Sequence, residues 1–580
     1  MKNKILKGIA ALAVAGTMAS CSSDYLEQPP ITYISDDKIA QSIEGAHAAL
    51  YGLCQAMYIG QYGDWLRISN GEGYLRTLYG DSGSPDFYDS WLAGSQEDYQ
   101  VWYMMRTDNN IANTFPWAYC YNLVFQANVI LREIDKCPGE PSEVNFIKAQ
   151  ALSMRAHAFI RLMQIYGPRF EDSNNGEALC FVLRLQPGSE NLPLASYAEC
   201  IKTIYGDLDT AIELFEESGE TRKYGFEPDI NVARALYSRI ALLNHDWQKA
   251  KDMAHEARAQ YPIMTAEEFK AGFGEHNGEW LWYNLPDMDY NGYNSWGASF
   301  SCNGAYATAY NWSGAGNISW DFYKELYAKH PDDVRLELFW TPDKANKYVN
   351  LSIKESDFWD PKSINSEFLF CYGNEVKMTA AVALFMAHNT PAGYSGGYAV
   401  DTSLSDKDAS NRVARQNWFN NKASIATNKT DGRVQFGAQI KFWSNLENLG
   451  ASELAFIRSG ELILTEAEAA LALGDETTAK NCLKELNANR IPNYDCTSTG
   501  DALVEEVRTT RRIELWGEGD TWFSLKRWNV PVERRIWIQG DTSSNNMLPA
   551  YKGSYSADYC NGWRYEVPRW ETNYNTEARK

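Results

Sequence analysis

ALALGDETTAKNCLKELNANRIP, residues 470–492, decides the fold. A run of small and apolar residues ends at Gly474-Asp475. A second helical run follows, in which Ala479, Leu483 and Leu486 recur every three or four positions. Pro492 closes the unit, because proline cannot continue a helical hydrogen-bond ladder. The same plan occurs earlier in ALLNHDWQKAKDMAHEARAQYP, residues 241–262, where Ala250, Ala254 and Ala257 hold the equivalent stripe. Small side chains let two helices approach closely, so each stretch reads as a helical hairpin.

The two hairpins resemble tetratricopeptide units. Such units bury their apolar faces by stacking, so the expectation is a helical layer assembled from segments distant in sequence. Its grooves look apolar rather than lined with displayed polar side chains, which favours a scaffold over a peptide groove. Working back from the hairpins, most of the chain up to about residue 260 also reads as helix. Val144 to Tyr166 places Leu152, Ala156, Phe159, Met163 and Tyr166 on one face, and Gly167-Pro168 stops it. Ser196-Tyr197-Ala198-Glu199 is a capping box that opens a helix running to about Glu217. The fold class is therefore mainly α.

Between residues 272 and 450 the regularity fails. Glu279-Trp280-Leu281-Trp282 is strand-like and Ser319 to Tyr327 reads as a capped helix, but the rest is long loop rich in aromatics. Long loops in a compact protein are mostly functional or disordered, and this aromatic content argues against disorder. The richest loop is NGYNSWGASFSCNGAYATAYNWSG, residues 291–314, with Trp296, Tyr310 and Trp312 beside the polar Asn311. A second cluster, DSGSPDFYDSW at residues 81–91, offers Asp81, Tyr88 and Trp91; a third, PAGYSGGY at residues 391–398, offers Tyr394 and Tyr398. A sugar ring presents C–H groups on its face and hydroxyls around its edge. Trp and Tyr stack on the face, and Asn, Asp and Arg bond the edge. Core packing competes for each single ring, and Phe300 and Tyr306 suit anchoring the loop from beneath.

The chain has 580 residues and a formal charge of −21; without the first twenty, which hold three lysines and no acid, the charge is −24. A surplus of negative charge repels phosphate backbones, so no nucleic-acid partner is expected. Seven histidines are scattered without an HExxH pattern, and the ten cysteines after Cys21 form no CxxC pair, so no transition-metal site is expected. Buried free thiols fit the cysteines as well as disulfides or better. Asp287 and Asp289 offer loop oxygens of the kind calcium takes, but no ligand spacing supports a site, and no cofactor is expected.

MKNKILKGIAALAVAGTMASC has lysines first, then an apolar run, then small residues. This is the layout of a secretory signal. Met18-Ala19-Ser20-Cys21 resembles a bacterial lipobox, which implies cleavage before Cys21 and a lipid on that residue. Asp24, soon after it, is compatible with export to the cell surface. Anchoring, not spanning, is the expectation.

Several ordered motifs resemble the SusD/RagB family of outer-membrane lipoproteins. They are Trp117-Ala118-Tyr119 with Asn122 and Asn128; Ala151 to Ala156 with Tyr166-Gly167; Arg458-Ser459-Gly460-Glu461 leading to Glu466 and Glu468; and Arg511-Arg512-Ile513-Glu514-Leu515 through Gly517-Glu518-Gly519 to Arg527-Trp528. The last is the most specific. Near the end, Val567-Pro568-Arg569 departs from the family's usual Ile-Pro-Gln, while Glu571 and Asn575 follow as expected. The resemblance implies a SusD-like fold and a non-catalytic surface lipoprotein that captures a glycan over a SusC-like TonB-dependent transporter. It also leaves a RagB-like peptide ligand open. The charged residues of these motifs read as scaffold ion pairs. A glycoside hydrolase would need two carboxylates about 5 to 9 Å apart across the sugar bond, and no barrel-strand pattern accompanies one. An adaptor for protein segments is a third reading. The expected organisation is a signal at residues 1–20, a helical region at 21–271, a loop-rich ligand-binding region at 272–450 and C-terminal helices at 451–580.

Overall fold

A computed structural model of the chain describes residues 39, 41–58, 71–81, 83–88, 103–109, 111–284, 317–339, 439, 441–442, 452–534, 536–538, 541–546 and 553–579. These residues are mainly helical. In chain order the helices used below are α1 (Ile43–Gln55), α2 (Ile111–Glu133), α3 (Pro141–Tyr166), α4 (Tyr197–Ser218), α5 (Ile230–Leu243), α6 (Trp247–Arg258), α7 (Trp320–Lys329), α8 (Ser459–Ala472), α9 (Glu476–Asn487), α10 (Asp501–Glu514), α11 (Thr521–Trp528) and α12 (Arg569–Tyr574).

Helix α3 is the axis of the N-terminal half. It starts at Pro141, three residues before the start read from sequence, because the first helical position has no intrahelical N–H bond for proline to lose. The single apolar face read from sequence is also too narrow. Nineteen of its residues are buried, because α1, α2, α4 and α5 all pack on it. Several of its inward polar groups are hydrogen-bonded. Ser153 donates to the Ala149 carbonyl, and the Arg155 guanidinium grips Asp207 and Asn128. Helix α4 has the expected capping box: Glu199 N–H donates to Ser196 Oγ at 3.3 Å and Ser196 N–H to Glu199 Oε2 at 2.9 Å. Gly219 ends it in the left-handed region, φ +65°.

The two repeats form helix–turn–helix pairs, α5 with α6 and α8 with α9. Their turns match atom for atom. Asp246 N–H donates to the Ala241 carbonyl at 2.9 Å, and Asp475 N–H to the Ala470 carbonyl at 2.8 Å. Each aspartate then caps its second helix, accepting from Lys249 N–H and Thr478 N–H. The residue before each aspartate has positive φ, +56° at His245 and +79° at Gly474. Ala250, Ala254, Ala257, Ala479, Leu483 and Leu486 are all fully buried, and α6 packs directly on α8 across two hundred residues of sequence.

The strands are short antiparallel pairs that tie distant segments together. They are β1 (Phe87–Tyr88) with β5 (Asn317–Ile318), β2 (Leu179–Val182) with β3 (Leu194–Ser196), β4 (Trp280–Tyr283) with β6 (Ala455–Arg458), β7 (Val532–Arg534) with β10 (Gly553–Tyr555), and β8 (Ile536–Ile538) with β9 (Asp541–Asn546). Among the described residues one core cluster runs from Ile39 to Ala578, while a smaller one fills the space between α8, α9 and α10. Among the described residues eight cysteines are free and buried, and no helix is long and apolar enough to cross a membrane.

Candidate functional site

The site is built outward from Arg458, the last residue of β6, which is 1% exposed. Its guanidinium donates to Glu279 at 2.7 Å, to Glu514 at 2.8 Å and to both oxygens of Glu518 at 2.8 Å. Arg490 and Arg335 also donate to Glu514, and Lys441 donates to Glu518 at 2.7 Å. Burial alone would raise the Glu518 carboxyl, but Arg458, Lys441 and Arg76 hold it down at about 2. Glu514 lies well below the carboxylate range for the same reason, with Arg490 and Arg458 its main partners. Burial pulls the Lys441 amine down to about 8. Buried charges persist only when partnered in this way, so the motif glutamates and arginines are scaffold.

The same motif reaches the aromatic segments. Arg512, on α10, donates to Asp86 Oδ2 at 2.7 Å and also pairs with its Oδ1. The Asp86 carbonyl accepts from Trp516 Nε1 at 3.0 Å and from Ser319 N–H at 2.9 Å. The Phe87 ring stacks on Trp516 with centroids 5.2 Å apart, and the Arg512 guanidinium sits 4.3 Å from the centre of the Phe322 ring on α7. On this base β1 pairs with β5, Phe87 opposite Ile318 and Tyr88 opposite Asn317. Tyr88 belongs to the 81–91 cluster, and Asn317 follows Trp312 by five residues. The ladder thus pairs a residue of the first cluster with one that closely follows the second in sequence.

Of the sequence-derived site residues, Asp81 and Tyr88 are described, Tyr88 through its backbone. Trp91, Trp296, Tyr310, Asn311 and Trp312 lie outside the described residues, as do Cys21, Asp287, Asp289, Tyr394 and Tyr398. Asp81 faces inward rather than toward a ligand. It is 1% exposed and accepts from Gly519 N–H at 2.7 Å, and burial raises its carboxyl well above the usual range. The residue that sequence reasoning missed is Asp86, five positions on. Its signal is a carboxylate beside Phe87 in a chain with an arginine-rich motif; which arginine it meets is not readable locally.

A small cavity of about 40 Å³ lies among the motif residues, lined in part by Arg239, Glu461, Arg511, Asp520 and Lys526. Arg239 pairs with Glu461, and Arg511 with Asp520. The Lys526 amine donates to the Gln164 and Gly167 carbonyls, both at 2.7 Å, and burial pulls it down to about 7. Its cations are thus used within the fold. Among the described residues no group of three or more His, Cys, Asp or Glu side chains is placed to hold a metal ion.

The chain belongs to the SusD family: that family's profile matches residues 278–579, more than half of the sequence, and a second profile, described as starch-binding associating with outer membrane, matches residues 57–242. Solved structures agree in fold. A Bacteroides vulgatus protein is 21% identical with a TM-score of 0.65, covering 93% of this chain and 98% of its own. A SusD-like carbohydrate binding protein from the same species is 19% identical, covers 93% and 97%, and gives 0.65. A SusD superfamily protein from Bacteroides thetaiotaomicron is 19% identical, covers 93% and 99%, and also gives 0.65. No curated protein matches the chain. Members of the family are non-catalytic binding proteins, associated with the outer membrane as lipoproteins, that serve carbohydrate uptake.

Proposed function

We propose that this chain is a surface lipoprotein, anchored through Cys21, that captures an oligosaccharide or polysaccharide and passes it to a SusC-like TonB-dependent transporter. Trp296, Tyr310 and Trp312 stack on sugar faces, with Asn311 on the hydroxyl edge and Trp91 and Tyr88 from the second cluster completing the platform. One observation supports this reading: the Tyr88–Asn317 register, which pairs a residue of one aromatic cluster with a residue that follows the other closely in sequence. Asp81 has no part in the platform, because its carboxylate is already used inside the fold. The test runs the mature protein through gels containing plant, host and microbial polysaccharides and assays the same mixtures for reducing sugar. Retardation by at least one glycan with no sugar released is expected. Released product would make the chain a hydrolase, and retention of peptides alone would make it a peptide importer.

A further inference from the structure

The surface near the carboxyl terminus carries a second feature that the platform does not use. A concavity of about 380 Å³ lies between α2, the segment at residues 184–191 and α12. That is within the size range of small-ligand sites. Nine large apolar side chains are exposed among the described residues, and three of them line this one hollow: Phe125 at 42%, Trp570 at 39% and Tyr574 at 81%. Trp570 is the one tryptophan among the nine. Rings of that size ordinarily go inside, and a cluster of them around a hollow marks a contact surface.

The floor of the hollow is polar and fixed. Glu571 is 6% exposed. It accepts from Arg184 Nη2 at 3.1 Å, Asn575 Nδ2 at 2.9 Å and Trp117 Nε1 at 3.2 Å. Asn575 in turn holds both backbone groups of Leu192. The wall is therefore locked to the helix that carries Trp570 and Tyr574. Glu571 and Arg184 cancel in charge, so the hollow favours a neutral ligand. The side chains of Gln186, Ser189 and Tyr574 make no hydrogen bond to other described residues, which leaves their donors and acceptors open toward it. Ring faces around a neutral floor with amide and hydroxyl groups at the edge match a pyranose, whose C–H face is apolar and whose rim is hydroxyl.

We infer that this hollow is a second carbohydrate contact, taking a neutral pyranose unit of a glycan. The inference rests on the glycan-binding reading above.

The experiment titrates maltohexaose, xylohexaose and mannohexaose, together with every polysaccharide retained in the gels, against five full-length mature proteins. They are the wild type, Trp296→Ala/Trp312→Ala, Trp570→Ala/Tyr574→Ala, the quadruple variant and Trp570→Phe/Tyr574→Phe. The platform variant is expected to keep a residual binding event that the quadruple variant loses. Trp570→Ala/Tyr574→Ala is expected to weaken polysaccharide binding about tenfold. Its melting temperature should be unchanged, and Trp570→Phe/Tyr574→Phe should retain binding. If Trp570→Ala/Tyr574→Ala binds every glycan as the wild type does, the second site is overturned while the glycan reading stands. If those changes instead release a membrane transporter and leave sugar binding intact, the hollow is a protein contact and the inference is overturned. A wild type that binds no glycan overturns both readings.

Discussion

Arg458 holds three carboxylates at once and has no exposed surface to share the charge with water. Removing it leaves Glu279, Glu514 and Glu518 to repel one another in the interior. Arg458→Met is therefore expected to cost about 3–5 kcal/mol in urea denaturation; a loss below about 1 kcal/mol would show that the network is not what holds β6 in place. The buried amine of Lys526 has a different signature. Its folded pKa of about 7 lies below the usual 10.5. Between those values the unfolded chain binds a proton that the folded chain does not, so this group makes stability rise with pH across that window. Buried thiols such as Cys54 and Cys120 act in the other direction above about pH 9, because burial raises them and the unfolded chain ionises first. The urea midpoint should climb from about pH 7 to pH 8.5 in the wild type and climb less in Lys526→Met; equal slopes would mean that Lys526 titrates normally. At this scale the sequence shows that Arg511, Arg512, Glu514 and Glu518 belong to the interior, since they recur at helical spacing among apolar residues. It does not show that Arg458 meets Glu279 or that Arg512 meets Asp86, because pairing across 179 and 426 residues leaves no local pattern.

The hairpins were legible as elements because polar turn, small-residue stripe and closing proline each act within a few residues. The burial of α3 on nearly all sides was not, since its neighbours come from four separate helices. The short ladders were partly legible. Trp280 to Trp282 reads as strand, but its pairing with β6 depends on how the helical layer folds back. One close crossing belongs to this scale. Gly80 lies against Gly519, where a Cβ on Gly80 would overlap the Gly519 backbone, and Gly519 itself has φ +79°. Gly80→Ala must push the 71–81 segment away from the loop before α11. It is expected to cost about 3 kcal/mol or more, read as a drop in the urea midpoint. A neutral substitution would show that the crossing has slack.

At the scale of the whole molecule, the helical layer and buried charges form the frame of the described residues, and the proposed ligand contacts fall on segments outside it. That division explains what sequence could and could not give for the site. Composition and spacing flagged Trp296, Tyr310, Trp312 and Trp91, because rings crowded with glycine and asparagine stand out in any chain. The same reasoning misassigned Asp81, since nothing local distinguishes a carboxylate turned inward from one turned out. The most direct measurement compares polysaccharide affinity and melting temperature for wild type and Trp296→Ala/Trp312→Ala. A loss of about tenfold or more in affinity with the melting temperature held is the expected result. Unchanged affinity, or a melting temperature that falls with it, would contradict a carbohydrate platform on these loops.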